Sequence, residues 1–292
     1  MSGPMACLLD GDAFAASLRQ DMAKRVHALS LAGRPLKLVT LLVGDNPASS
    51  AYIARKHADC AELGILSEDL RLPAIIDQQR LMAEIARLNA DDSVTGFLVQ
   101  LPLPTHLNEA EALEAVSPAK DIDGLHPINL GRLLAGTPGL LPCTPHAIWK
   151  LLTHHDIPLA GRHVTIIGRG ALVGRPLAML LTLKGIDATL TLLNSATPDL
   201  ADFTRSADVV ISAAGVAGLV TASMIRPGAT VVGVGISYGA DGEMISDIAD
   251  DVAATAQAVT PRHGSVGAVT RAMLLENLIA IAEAGQALSK GL

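Results

Sequence analysis

The sequence has only three cysteines, Cys7, Cys60 and Cys143, set far apart. That spacing provides neither a disulfide framework nor a CxxC metal site. A charge-free apolar run of roughly 18 residues is also missing, so no membrane-spanning helix is expected. The opening residues, Met1-Ser-Gly-Pro-Met-Ala-Cys-Leu8, have no basic segment leading into an apolar one, and no signal peptide is expected. Positive charge is in deficit: 22 Lys and Arg against 29 Asp and Glu leave a formal charge of -7. That balance argues against a nucleic-acid or anionic-membrane partner. His146, His154 and His155 lack a metal-ligand spacing, so no metal is expected. These absences leave a soluble cytoplasmic protein.

Apolar residues make up 50% of the 292, enough for a substantial core, and the length suggests about two domains. Helical periodicity runs over 12–33, with Phe14, Leu18, Met22, Val26 and Leu29 on one stripe and Gly33 as a stop. Strands are predicted at 37–43, around 68–72 and at 94–101, with a helix over about 77–89. Strands alternating with helices imply a mostly parallel sheet covered on both faces, with ligands beyond the carboxyl ends of its strands. A turn-rich joint at 136–145 places the domain boundary after residue 142. Residues 1–142 are expected to form one domain, completed by the C-terminal helix within 271–292, and 143–270 the other.

In the first domain the stretch Ala51–Gly64 reads as a helix that Ser49 or Ser50 can cap and Gly64 can end. Tyr52 and Lys56 share one face of it, a phenol and an amine suited to handling a proton. A surface lysine beside a core tyrosine is the plainer alternative. Gln100 lies where Pro102 and Pro104 stop ladder pairing, at a strand's carboxyl end, as a ligand contact or as a structural amide. Asp121 and Asp123 occupy a loop, either as turn residues or as carboxylates that accept paired hydrogen bonds from an N–C–N edge.

In the second domain the β-branched run His163–Ile167 delivers Gly168-Arg-Gly-Ala-Leu-Val-Gly174 into a helix predicted over Pro176–Lys184. Strand, glycine turn and helix in this order suit a dinucleotide pyrophosphate, although the spacing is one residue longer than the usual fingerprint. Further strands are predicted at Ala188–Leu193, Val209–Ala213 and Thr230–Gly235. An NAD-preferring domain usually places a carboxylate about 20 residues beyond the glycines. Here that position reads Leu192-Leu-Asn-Ser-Ala-Thr197 with no acid, while Arg169 and Ser195 can meet a 2′-phosphate. The reading favours NADP and leaves NAD possible; a solvent-facing Arg169 is the alternative.

Three stretches together resemble the bifunctional methylenetetrahydrofolate dehydrogenase/methenyltetrahydrofolate cyclohydrolase family. They are Val43–Lys56, Gly96–Pro104 and Lys120–Pro127; Pro142–Pro145, Gly168–Pro176 and Thr260–Glu276 follow in the family's order. The resemblance implies that Lys56 is the catalytic lysine, with Tyr52 against the substrate and Gln100 hydrogen-bonded to the lysine. Asp123 would grip the pterin ring, and Leu101 and Pro102 would join Tyr52 and Gln100 around the substrate. NADP would meet Gly168, Arg169, Gly170, Val173, Gly174, Ser195, Gly215 and Ile236. The implied substrates are tetrahydrofolate derivatives, and the implied assembly is a homodimer paired through its nucleotide domains. The folate and the nicotinamide would meet in a cleft between the domains.

The sequence departs from the family at Gly170, where a serine is usual, and at Gly233 and Ser237, where an aspartate and an asparagine are usual. The 260–270 loop lacks two prolines and adds His263, a lone loop histidine that could be catalytic. Two other readings compete: a shikimate-type NADP dehydrogenase, and a folate- or NADP-binding paralogue without turnover.

Overall fold

A computed structural model describes residues 6–239, 243–262 and 266–290, the side chains of Tyr238 and of 285–290 excepted. His263 lies outside the described residues. The chain divides into two compact α/β units.

One unit comprises residues 17–132, 138–143 and 271–292. Its sheet has three parallel strands, with Lys37–Val43 in the centre between Leu66–Leu72 and Gly96–Val99. Six of the seven residues of the central strand are buried, and all of those but Thr40 are apolar, as expected of a strand covered on both faces. Lys37 pairs with Leu66, so the ladder starts the second strand two residues before the predicted start at 68. Leu81, Ile85 and Leu88 of the helix Gln78–Ala90 pack with Val39, Leu41, Phe97 and Val99 in one core. The C-terminal helix, Val266–Lys290, is tied into this unit by Arg25. Its Nε and Nη2 donate to Glu283 at 2.9 and 2.8 Å, and its Nη1 donates to Glu276 at 2.7 Å.

The other unit comprises residues 1–16, 133–137 and 144–270. Its six-stranded sheet is parallel throughout, in the order Cys7–Leu8, Ala258–Val259, Thr230–Gly233, Val209–Ser212, His163–Ile167, Thr189–Leu193. The chain winds one way from His163–Ile167 to Thr189–Leu193, and the other way through Val209–Ser212 and Thr230–Gly233. The switch point therefore lies between His163–Ile167 and Val209–Ser212, where an open parallel sheet leaves a crevice for a ligand. A two-stranded hairpin, Ile236–Tyr238 with Met244–Ser246, adds antiparallel pairing. One change of unit falls between Cys143 and Thr144, and of the predicted joint at Pro142–Pro145, Cys143 to Pro145 open the helix Cys143–His154. Pro145 falls in its first turn, where a missing N–H costs nothing.

Candidate functional site

Lys56 lies on the helix Pro47–Leu63. Neither Ser49 nor Ser50 caps this helix. The Asn46 side chain does, accepting from the amides of Ala48 and Ser49 at 3.0 and 3.1 Å, and Pro47 fills the first helical position. Proline is pre-set for that position and has no N–H to leave unpaired, so the cap moves to the residue before it. At the other end Gly64 adopts φ 73° and donates to Ala61 O, while Ile65 N–H reaches back to Cys60 O. This is the Schellman arrangement.

Lys56 is 5% exposed. Its ammonium donates to Gln100 Oε1 at 3.2 Å and stands 4.8 Å from the centre of the Tyr52 ring. Gln100 Nε2 donates to Leu101 O at 2.9 Å, which turns the amide so that its oxygen faces the lysine. The Gln100 backbone N–H still pairs with Leu41 O, holding the residue at the strand end. Burial lowers the Lys56 pKa, and Arg271 acts in the same direction; Asp123 and Cys143 oppose it. The Tyr52 hydroxyl is pushed up, first by burial and then by Asp123. Burial also raises the Asp123 pKa, against the pull of Lys56.

The two loop aspartates divide their work. Asp121 is buried and accepts from Gly124 N at 3.1 Å, His126 N at 2.8 Å and Asn129 Nδ2 at 2.8 Å. It builds the loop. The Asp123 carboxylate, only partly buried, makes no hydrogen bond to another described residue. Gly124 sits at φ 71°, where a Cβ would come within 2.3 Å of Leu141 O, so only glycine lets the loop pass. Leu101 is half-buried and Pro102 exposed, with a cis peptide bond between them.

Reasoning from sequence missed two supports of this site. Asn277 Nδ2 donates to Ile122 O at 2.9 Å and to Leu141 O at 2.8 Å, pinning the backbone on both sides of the Asp123 loop. Arg271 Nε donates to Asp59 Oδ2 at 2.6 Å, and Asp59 sits one turn beyond Lys56 on its helix. The three-residue spacing from Lys56 to Asp59 was visible; its partner, more than two hundred residues away, was not.

The glycine turn lies at the switch point. Gly168 has φ 109°, and a Cβ there would come within 2.5 Å of Ala213 O; one on Gly174 would lie 1.9 Å from Gly168 O. These two glycines are demanded by the fold itself. Gly170, by contrast, has no atom within 4 Å of an added Cβ. The helix begins at Gly174 and ends at Leu181, earlier at both ends than predicted. Arg175 N–H is already bonded to Gly170 O at 3.1 Å, and Pro176 has none. The helix end therefore has at most the Gly174 N–H and its dipole to offer an anion. Val173 precedes it with no side-chain cap. Gly168 N–H donates to Leu193 O at 2.9 Å, so exposed Arg169 and exposed Ser195 each lie two residues past paired strand ends. Gly215 occupies the loop after Val209–Ser212, and Ile236, 49% exposed, opens the hairpin. An open glycine turn, a guanidinium and the absence of a carboxylate at the end of Thr189–Leu193 suit a phosphate-bearing dinucleotide.

The chain matches the family described as Tetrahydrofolate dehydrogenase/cyclohydrolase, catalytic domain, over residues 9–123. It matches the NAD(P)-binding domain of the same family over residues 142–286. Among solved structures it is similar to the bifunctional FolD methylenetetrahydrofolate dehydrogenase/cyclohydrolase of Campylobacter jejuni. Identity is 41% and the TM-score 0.93, with 96% of this chain and 99% of the other covered. The dehydrogenase-cyclohydrolase of Trypanosoma brucei, solved with NADP and an inhibitor, is 36% identical with a TM-score of 0.92, covering 97% and 99%. Shikimate 5-dehydrogenase of Thermus thermophilus, at 15% identity and TM-score 0.53 over 85% and 99%, shares the fold alone. The chain belongs to the tetrahydrofolate dehydrogenase/cyclohydrolase family, with both its catalytic and its NAD(P)-binding domain.

Proposed function

We propose that the chain oxidises 5,10-methylenetetrahydrofolate with NADP and hydrolyses the resulting methenyl compound to 10-formyltetrahydrofolate. The observation that carries this reading is the buried Lys56 ammonium, held by an oriented Gln100 over the Tyr52 ring. The dinucleotide, when bound, supplies the hydride acceptor. Gly168, Gly170 and Gly174 receive its phosphates, with Arg169 and Ser195 on the 2′-phosphate side and Val173, Gly215 and Ile236 lining the rest.

Asp123 accepts the paired N–H groups of the pterin edge, and Tyr52, Leu101 and Pro102 shape the pocket around the ring. Once hydride has left, the one-carbon bridge is a methenyl cation. Water adds to that carbon, and the proton it sheds must be taken up before the C–N bond opens. A buried lysine gives up its own proton more readily than a solvated one, and a cation beside it strengthens the effect. Lys56 can then accept the proton from water and pass it to the departing ring nitrogen. Gln100 keeps the amine in place in either protonation state, because its oxygen accepts from an ammonium or from an amine.

Among the described residues no helix is long and apolar enough to cross a membrane. A cytoplasmic homodimer paired through its nucleotide domains completes the proposal.

An absorbance assay with methylenetetrahydrofolate, run with NADP and then with NAD, tests the reading. Wild type should form the methenyl compound and then consume it, faster with NADP. The Lys56→Met variant should lose the hydrolytic step. Full hydrolysis by that variant would refute the role of Lys56.

A further inference from the structure

Asp247 is fully buried, and its partners are neutral donors. Its Oδ2 accepts from Ser212 Oγ at 2.8 Å, Ala214 N at 2.9 Å and Gly215 N at 3.2 Å, and its Oδ1 accepts from Val216 N at 2.9 Å. Three successive backbone N–H groups thus curl around one anion. Such a nest ordinarily captures phosphate or another anion from solution. Here the anion is part of the chain, and the loop closes on it without a ligand. Gly235 makes room: a Cβ there would lie 2.2 Å from Asp247 Oδ2. The Asp247 backbone is fixed as well, its N–H donating to Gly235 O and its carbonyl accepting from Val220 N.

The loop this carboxylate shapes follows Val209–Ser212 and borders the switch point. Ala213 N–H donates to Ile167 O at 2.8 Å, directly beside the glycine turn. Arg169 belongs to that turn, and Ser195 lies past the end of Thr189–Leu193, the strand on the other side of His163–Ile167 from Val209–Ser212. A dinucleotide bound across such a switch point with its 2′-phosphate toward Arg169 and Ser195 would have its other half facing 213–218. The outer side of Gly215 is open, with no atom within 4 Å of an added Cβ.

We infer that Asp247 is a positioning residue, an internal anion that holds the 213–218 loop as a ready-made wall for the nicotinamide half of the dinucleotide. It follows that the 214–216 nest is closed to the cofactor's pyrophosphate, which is left to the glycine turn. This rests on the proposed reading of the unit as a dinucleotide site and adds how one of its walls is held.

The test compares wild type, Asp247→Asn and Ser212→Ala in two measurements: NADPH binding followed by its fluorescence, and hydrolysis of the methenyl compound without dinucleotide. An amide in place of the carboxylate sets an NH2 against at least one N–H donor and removes the charge that strengthens the remaining bonds. Asp247→Asn should weaken NADPH binding by about tenfold or more, and Ser212→Ala by a few-fold, from the loss of one to several such bonds. Hydrolysis should stay near wild type in both. Unchanged NADPH affinity in a folded Asp247→Asn protein, or hydrolysis falling in parallel with binding, overturns the inference. Should Asp247→Asn fail to fold, Ser212→Ala decides by the same two readings. A wild-type protein that binds no NADPH overturns the dinucleotide reading and this inference with it, whereas a defect confined to the variants supports both.

Discussion

Gln100 accepts from Lys56 through Oε1 at 3.2 Å while its Nε2 is committed to Leu101 O at 2.9 Å. The amide therefore cannot flip without giving up both bonds, and the lysine always meets an oxygen. Replacing that neutral oxygen with a carboxylate, in Gln100→Glu, would favour the ammonium form of Lys56. The rate of the hydrolytic step at pH 7 should fall, and its acid limb should move up by about one pH unit or more, as expected for an opposite charge in contact. A pH–rate profile that superimposes on wild type would show that Gln100 does not govern the amine.

Lys56 itself should reduce stability at neutral pH. Its folded pKa lies below the ordinary 10.5 because of burial, so the folded state binds a proton less readily than the unfolded chain. The resulting penalty is absent above pH 10.5 and grows as pH falls toward the folded pKa. Lys56→Met should accordingly melt at or above the wild-type temperature at pH 7, with the gap narrowing as pH approaches 10. A lower melting temperature for the variant at pH 7 would count against this sign.

Asp123 offers a carboxylate with no hydrogen bond to other described residues, unlike its neighbour Asp121. Asp123→Asn should raise the folate KM by roughly 10- to 100-fold, the range expected from losing one or two hydrogen bonds to a charged group. Asp121→Asn should instead lower the melting temperature, because three donors converge on that side chain. Equal folate affinity in wild type and Asp123→Asn would remove Asp123 from the pterin contact.

Arg169 is exposed, and the proposal gives it a charged contact to the 2′-phosphate. Arg169→Ala should raise the KM for NADP by about tenfold while leaving that for NAD within about twofold, as expected when one charged contact to a phosphate is lost. Parallel changes for both dinucleotides would rule out a contact to the 2′-phosphate.

His146 gives the acid limb of stability a specific source. It is 8% exposed, stacks on Trp149, and has a buried Nδ1 without a hydrogen-bond partner among the described residues. Burial, with help from Lys150, lowers its pKa from 6.5 to about 4. The unfolded chain therefore binds the proton first, and stability present above pH 6.5 is lost as pH falls toward 4. The loss reaches roughly 3 kcal/mol as an upper bound, at 1.36 kcal/mol per pKa unit. His146→Phe keeps a ring against Trp149 and should flatten denaturant midpoints across that range; an equally steep decline in the variant would point to another group.

Local pattern was enough where one element carried its own signal. Lys37–Val43 and His163–Ile167 were legible to the residue, because buried parallel strands are continuous apolar or β-branched runs bounded by turns. Gly64 was legible as a helix stop because a left-handed residue at that point favours glycine. Cys7–Leu8 carried no such signal: two residues become a strand only because Ala258–Val259 lies alongside to pair with them.

From its sequence alone the chain disclosed an α/β architecture, a glycine turn after a strand, a Tyr52/Lys56 helix face and a family resemblance spread over its length. The glycine turn and the Tyr52/Lys56 face depend on residues close together in the chain, where spacing fixes geometry. The tertiary structure decided which of Asp121 and Asp123 builds the loop and which keeps an unbonded carboxylate. It also decided that Gln100 meets Lys56 oxygen-first, that Arg271 finds Asp59, and that Asp247 closes the 214–216 nest. The last three join residues far apart in sequence, and a buried polar group takes whatever partner the packed backbone brings within about 3 Å.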